Sequence, residues 1–117
     1  MWICLNNAFL SIVDKDCKPD ELLVRARRPG DIERVFAGAK VSENLDSDYR
    51  YRATIKRQTI AATMTSLIDD LHYPNFKSSV HDDDLHTAYN RTWGVMADLQ
   101  PTPPYHGYRT ARAARRR

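Results

Sequence analysis

Polar and apolar residues alternate just before residue 57 and then recur with apolar positions every three or four residues just after it. Alternation is the pattern of a strand with one buried face, and the longer spacing is that of a helix with one apolar stripe. The strand is predicted to bury Tyr49, Tyr51, Ala53 and Ile55, and to carry Arg50, Arg52 and Thr54 on its other face. The helix stripe is predicted at Ile60, Met64, Leu67, Ile68 and Leu71. A strand that leads directly into an amphipathic helix is therefore the central predicted unit.

The segment before this unit is predicted to contain three strands. Met1–Leu5 and Ala8–Val13 are apolar, and the Asn6-Asn7 link between them is typical of a hairpin turn, because asparagine tolerates left-handed backbone. Leu22–Arg27 alternates and is predicted to be the third strand.

A short helix and another strand are predicted to follow. Pro29 and Gly30 end the preceding strand, Asp31 is the predicted N-cap of the helix, and Gly38 is its predicted stop. Ala39–Glu43 is then a short strand that leads through an acidic turn to the central unit.

A further helix is predicted over Asp83–Leu99, because Pro74 prevents the preceding helix from continuing and acidic residues favour a helix N-terminus. Its apolar positions are Leu85, Tyr89, Trp93, Met96 and Leu99. Residues 101–117 are rich in proline and arginine, and we predict a flexible C-terminal tail there.

The order of these elements indicates the fold. From Leu22 to Leu71 it is strand, helix, strand, strand, helix, which is most of a ferredoxin-like split β-α-β unit. We therefore predict one α+β domain over residues 1–100. It would be a ferredoxin-like antiparallel sheet that includes the N-terminal β-hairpin, with two helices on one face and an added C-terminal helix.

The net charge of +3 arises in the tail. Five of the 18 basic residues are Arg109, Arg112, Arg115, Arg116 and Arg117. Residues 1–108 carry 13 basic and 15 acidic residues, a balance of −2, so the domain itself is not a basic nucleic-acid-binding domain. The tail arginines either hold nucleic-acid phosphates or form a solubilising end without a partner.

Two charged groups are candidates for binding a partner. Arg25, Arg27, Arg50 and Arg52 lie on strands predicted to be neighbours, so their side chains are expected to gather on the sheet face away from the two helices. Asp82, Asp83 and Asp84 form the second group. The alternative for the arginines is neutralisation by acidic side chains within the domain. For the aspartates the alternative is that they only mark the solvent-exposed N-terminus of a helix.

No enzymatic motif is present. The sequence lacks G-x-S-x-G, G-x-G-x-x-G and Walker motifs, and nothing marks one of its carboxylates as buried and tuned for acid–base work. His81, Asp84 and His86, with His72, lack a specific metal-ligand spacing and are expected to be exposed side chains. We therefore expect no catalytic residue, no metal and no cofactor.

The N-terminus lacks the basic region of a signal peptide, and no apolar run is long enough for a membrane span. We therefore expect the protein in the cytoplasm, without a membrane partner. There Cys4 and Cys17 would be reduced thiols, with a disulfide between them as the alternative.

Several stretches resemble a family of small bacterial, prophage and phage proteins. They are the Met1-Trp2 start, LLVRARRPGDIERVF (Leu22–Phe36), DYRYRATI (Asp48–Ile55), YPNFKSSV (Tyr73–Val80) and HTAYNRTWGVMADLQ (His86–Gln100). The resemblance implies a mobile-element context, and small phage proteins of this size include the anti-CRISPR inhibitors. That last step is an analogy of size and context, and no family motif carries a catalytic role to this chain.

Two functions are therefore expected. The first is a non-enzymatic phage or prophage protein that binds a host protein or ribonucleoprotein complex, such as a CRISPR effector, and blocks its DNA binding or nuclease recruitment. The alternative is a nucleic-acid-binding accessory or regulatory protein that uses the arginine-bearing strands and the tail.

Overall fold

The computed structural model describes residues 1–102. The strands are β1 (Trp2–Cys4), β2 (Phe9–Val13), β3 (Glu21–Ala26), β4 (Ser42–Glu43) and β5 (Tyr51–Lys56). The helices are α1 (Asp31–Val35), α2 (Arg57–Asp69) and α3 (Asp83–Ala97), with a 3₁₀ turn at Lys77–Ser79. None of the helices in this part of the chain is both long and apolar enough to cross a membrane. The predicted tail lies outside the described residues from position 103 onward.

All five strands join one antiparallel sheet in the order β1-β2-β3-β5-β4. β3 and β5 pair at its centre, from Glu21 opposite Lys56 to Ala26 opposite Tyr51. This is the arrangement of a split β-α-β unit, in which the first and third strands are neighbours. The N-terminal hairpin adds its two strands beside β3. The predicted α+β, ferredoxin-like class is therefore confirmed.

α1 and α2 cover one face of the sheet. Because side chains alternate along a strand, Leu10, Val24 and Ala53 point toward the same face. The buried cluster on this face is Leu10, Ile12, Val24, Ala26, Ile32, Phe36, Ala53 and Ile60. Burying these side chains is the main source of stability for this layer.

α3 packs on the opposite face. Phe9 directly precedes Leu10 in β2, so its ring leaves the sheet on the side away from α1 and α2, where it contacts the cluster formed by Val80, Leu85 and Tyr89. The Tyr89 hydroxyl donates to the carbonyl of Leu5 at 2.9 Å, and it also lies 3.0 Å from the carbonyl of Ala8. The added helix is thus fixed over the turn of the N-terminal hairpin.

The apolar stripes of α2 and α3 are only partly buried, which differs from the prediction. In α2, Ile60 is buried and Met64 partly so, but Ile68 is 69% exposed. In α3, Leu85 and Tyr89 are buried, whereas Leu99, just past the helix end, is 75% exposed. α2 follows β5 without a loop, and its contacts with the core are made by Ile60 and Met64 in its first two turns.

The start of α1 also differs from the prediction. Gly30, with φ of 85°, is the N-cap, and Asp31 is the first helical residue with its side chain buried. The helix ends at Val35, before Gly38, and β4 is restricted to Ser42–Glu43. Asp31 therefore serves interior contacts rather than capping its own helix.

Tyr89→Phe should loosen α3, because the variant keeps the buried ring but removes the hydroxyl that donates to the Leu5 carbonyl. We expect a loss of about 1 kcal/mol in the free energy of unfolding, measured by urea denaturation. Tyr73→Phe is the matched control, since it removes a hydroxyl from a ring that contacts Phe76 on the same side of the molecule. Equal stability of the two variants would contradict this anchoring role.

Candidate interaction surface

Where α3 meets the sheet, the contacts are organised by the buried carboxylate of Asp31, which is 1% exposed. One of its oxygens accepts from the backbone N–H of Phe9 at 3.2 Å. The other accepts from the guanidinium groups of Arg28 and Arg34. Asp31 thus joins the start of β2 to the segment that follows β3.

Arg28 carries this connection on to α3. Its Nη1 donates to Oδ2 of Asp82 at 3.0 Å, and the other carboxylate oxygen of Asp82 accepts from the N–H of Leu85 at 3.0 Å. Asp82 is therefore the N-cap of α3. The Leu85 N–H, followed by the Arg28 guanidinium, holds the pKa of Asp82 below its usual value. The start of α3 is fixed to the β3–α1 turn by these contacts.

We call the sheet side opposite α1 and α2 the arginine face; it carries Arg25, Arg27 and Arg52. Arg25 lies directly opposite Arg52 across the β3–β5 pair, so the predicted neighbourhood of the two strands is confirmed. On the other side, Arg25 donates to the hydroxyl of Ser11 at 2.7 Å. The two arginines are therefore held in one row across the sheet.

The ring of Tyr49 orders two of these arginines. The guanidinium carbons of Arg25 and Arg27 lie 4.5 Å and 4.2 Å from its centroid, and Tyr49 is 4% exposed. The prediction that Tyr49 faces away from the arginines is therefore wrong. β5 begins only at Tyr51, so the alternation that holds for Tyr51 does not extend back to Tyr49.

Arg50 does not join this group. Its Nε donates to Glu43 at 2.7 Å, and its guanidinium lies 5.9 Å from the ring of Tyr51, which packs against the helix-side core. Arg50 also precedes β5, so the predicted gathering of all four arginines is wrong for this residue. Arg52 stays in the group and pairs with the exposed carboxylate of Asp48 at 3.4 Å.

In the described chain, no acidic side chain neutralises the charges of Arg25 and Arg27. Within residues 1–102 neither forms an ion pair; Arg27 donates to the backbone carbonyl of Asp48 at 2.8 Å, and Arg25 donates to Ser11. In the same part of the chain, the buried Nε of Arg25 has no hydrogen-bond acceptor. Two ordered positive charges are therefore present for an anionic group from outside.

An apolar cleft of about 320 Å³ opens between α3 and this side of the sheet. We call it the α3 cleft. Its apolar lining includes Trp2, Cys4, Phe9, Leu85, Ala88 and Tyr89, and its charged lining is Arg27, Arg28, Asp31 and Asp84. The ring of Trp2 stacks edge-on against Phe9 with centroids 6.3 Å apart, yet Trp2 is 74% exposed. The cleft therefore places an exposed aromatic residue beside the arginine face.

The three predicted aspartates have separate positions around this cleft. Asp82 is engaged as the N-cap and as the partner of Arg28. Asp83 is exposed in the first turn of α3, and Asp84 lines the cleft. One member of each predicted group, Arg27 and Asp84, thus lines the same cleft. The tail residues Arg109, Arg112, Arg115, Arg116 and Arg117 lie outside the described residues.

The described chain also contains two cysteines and several side chains of the types that bind metal ions. Cys4 and Cys17 are both unpaired thiols, and burial raises the pKa of Cys4, which lines the cleft. Residues 1–102 contain no group of three or more histidine, cysteine, aspartate or glutamate side chains that could hold a metal ion. What this side of the molecule offers is a charged and apolar contact surface.

The sequence did not indicate the cleft residues Trp2, Phe9 and Ala88. A partial signal exists, since alternation places Trp2 and Cys4 on the same side of β1 as Phe9 on β2. Ala88, a small residue between Leu85 and Thr92 on α3, leaves space where a larger side chain would fill it. Recognising the cleft requires knowing that α3 lies over this hairpin.

Comparisons of the chain with protein-family models, with curated proteins and with solved structures found no match. The resemblance to small phage and prophage proteins therefore stays a prediction.

The connection between Asp82 and Arg28 should make α3 sensitive to acid. Because the folded protein lowers the pKa of Asp82, the stabilisation is complete above the usual aspartate pKa of about 4 and is lost as the pH falls through the lower, folded value. We expect Asp82→Asn to be less stable than the unmodified protein at neutral pH, with the difference shrinking in acid. Thermal unfolding from pH 7 to pH 2 measures it, and a constant difference would exclude this role for Asp82.

Proposed function

We propose that this protein is a non-enzymatic binding protein that contacts its partner through the arginine face and the mouth of the α3 cleft. The observation that carries the proposal is the pair Arg25 and Arg27, which share the Tyr49 ring and have no carboxylate counter-ion within residues 1–102. A cation that is held in place without an internal carboxylate counter-ion meets an external anion with little reorganisation.

The residue types favour a protein partner. Exposed tryptophan, tyrosine and arginine are the residues that contribute most binding energy in protein interfaces. Trp2 and Arg27 both lie at the apolar cleft, which a sugar-phosphate backbone would leave unfilled. These observations support a protein surface with apolar and acidic groups over a nucleic acid.

For the partner class we propose a host defence complex, with a CRISPR effector as the specific case. Binding would then block access of DNA or recruitment of a nuclease. The support for this step is the resemblance of stretches such as LLVRARRPGDIERVF and YPNFKSSV to small phage and prophage proteins. A domain of this size can offer about 800 Å² on one face, which is the area of a standard interface.

The direct test is capture of the partner from a bacterial lysate by the tagged full-length protein, with and without nuclease, followed by mass spectrometry. Retention of a defence-complex subunit after nuclease treatment would support the proposal. Recovery of nucleic acid alone, with affinity that falls steeply with salt and with deletion of residues 105–117, would support the tail arginines as the binding group and overturn it.

Arg27→Glu should weaken binding of the captured partner by about thirtyfold, because losing a central arginine contact costs about 2 kcal/mol. Lys40→Glu is the matched control: it makes the same change in charge at an exposed residue, next to α2 on the other side of the sheet. Surface plasmon resonance of both variants measures the effect. Equal affinities would show that the arginine face is not the contact surface.

A further inference from the structure

We propose that the α3 cleft receives an apolar side chain of the partner protein that lies next to a carboxylate in the partner. This inference deepens the proposed function, on which it rests, by naming the chemistry of the group that docks. It depends on the shape and charge of the cleft rather than on the arginine face as a whole.

Apolar side chains form most of the lining of the α3 cleft. Phe9 and Leu85 form the interior, Ala88 leaves space along α3, and Trp2 stands at the mouth. A volume of about 320 Å³ is at the lower end of pockets that hold organic ligands. The cleft therefore suits one aromatic or branched aliphatic side chain with a neighbouring group, rather than a large cofactor.

The four ionic residues in the lining differ in how their charges are balanced. Arg28 and Asp31 neutralise each other, with Arg28 also bound to Asp82. Asp84 lies in the first turn of α3, where the positive end of the helix dipole stabilises its charge. Arg27 has a ring and a carbonyl as partners and forms no ion pair within residues 1–102.

Charge complementarity therefore favours a carboxylate at Arg27. Arg25, which contacts the same tyrosine ring, adds a second positive charge nearby. Arg27 can donate from the nitrogens that do not contact Asp48, and a carboxylate accepts from such a fork with good geometry. A partner segment with an aromatic or leucine residue beside an aspartate or glutamate supplies both groups. A small organic acid is the alternative occupant, which the experiment below separates.

The probe is 3-phenylpropionate, which joins an aromatic ring to a carboxylate, and its control is the isosteric uncharged amide 3-phenylpropanamide. Binding to the full-length ¹⁵N-labelled protein is followed by NMR. We expect saturable shifts at Trp2, Phe9 and Ala88, with tighter binding of the acid than of the amide. Arg27→Gln should weaken binding of the acid about tenfold and remove the preference for it, as expected for the loss of a hydrogen bond to a charged group. Asp84→Asn should strengthen it, because a competing carboxylate is removed.

Two variants test the shape of the cleft. Ala88→Phe fills it from an exposed position on α3, and Trp2→Ala opens its mouth, so both should lower probe affinity while circular dichroism stays unchanged. Shifts at another surface, or equal affinity for acid and amide, would overturn the inference. The inference would also be overturned if the acid binds at Arg27 and Ala88→Phe leaves its affinity unchanged.

Partner capture separates this inference from the function on which it rests. If the captured protein is lost with Ala88→Phe and with Arg27→Gln, the cleft is its docking site. Retention of that protein by Ala88→Phe overturns the cleft inference and leaves the arginine face as the contact surface. Capture of no protein by the unmodified chain overturns the proposed function. Probe binding would in that case indicate that the cleft holds a small organic acid. That result would also overturn docking by a protein segment.

Discussion

The contacts of one buried carboxylate connect the two sides of this molecule. Asp31 accepts hydrogen bonds from the backbone of Phe9 and from Arg28 and Arg34, and Arg28 extends the connection to the N-cap of α3 at Asp82. A buried charge that loses its partners costs about 3 kcal/mol or more, so this arrangement tolerates little displacement. The first turn of α3 must therefore stay within hydrogen-bonding distance of the β3–α1 turn.

Gly30 makes this arrangement possible. Its φ of 85° lies in the left-handed region, which lets the chain leave β3 and begin α1 with the Asp31 side chain directed inward. A Cβ atom at Gly30 would lie 2.9 Å from Nη1 of Arg34, one of the guanidinium groups that neutralise Asp31. The backbone freedom of glycine and the space it leaves therefore serve the same ionic cluster.

The sequence allows the sheet to be predicted because its signals are local. Alternation in β3 and β5, and the order of elements between them, suffice to make the strands neighbours and to bring Arg25 opposite Arg52. The same reasoning fails at Tyr49 and Arg50, where the chain is still bending before β5 begins. A strand pattern carries no information about the residue at which pairing starts.

The α3 cleft could not be predicted, because it depends on contacts between residues far apart in the chain. Arg28 and Asp82 are 54 positions apart, and Tyr89 reaches the carbonyl of Leu5 from 84 positions away. Amphipathicity shows that a helix buries one stripe, but not which surface covers it. For α3, buried Leu85 and Tyr89 lie on the hairpin while Met96 remains 57% exposed, a division that periodicity alone does not indicate.

The way in which the arginines are held has a physical consequence for binding. An arginine in an internal ion pair must give up that pair before it meets another carboxylate, and the exchange gains little. Arg25 and Arg27 are ordered instead by an aromatic ring, a hydroxyl and a backbone carbonyl, which fix the geometry without neutralising the charge. The side-chain entropy is thus lost during folding rather than during association, and the attraction for an external anion is retained. An anchored but unneutralised cation beside an apolar cleft is therefore better suited to recognition than to stabilising the fold.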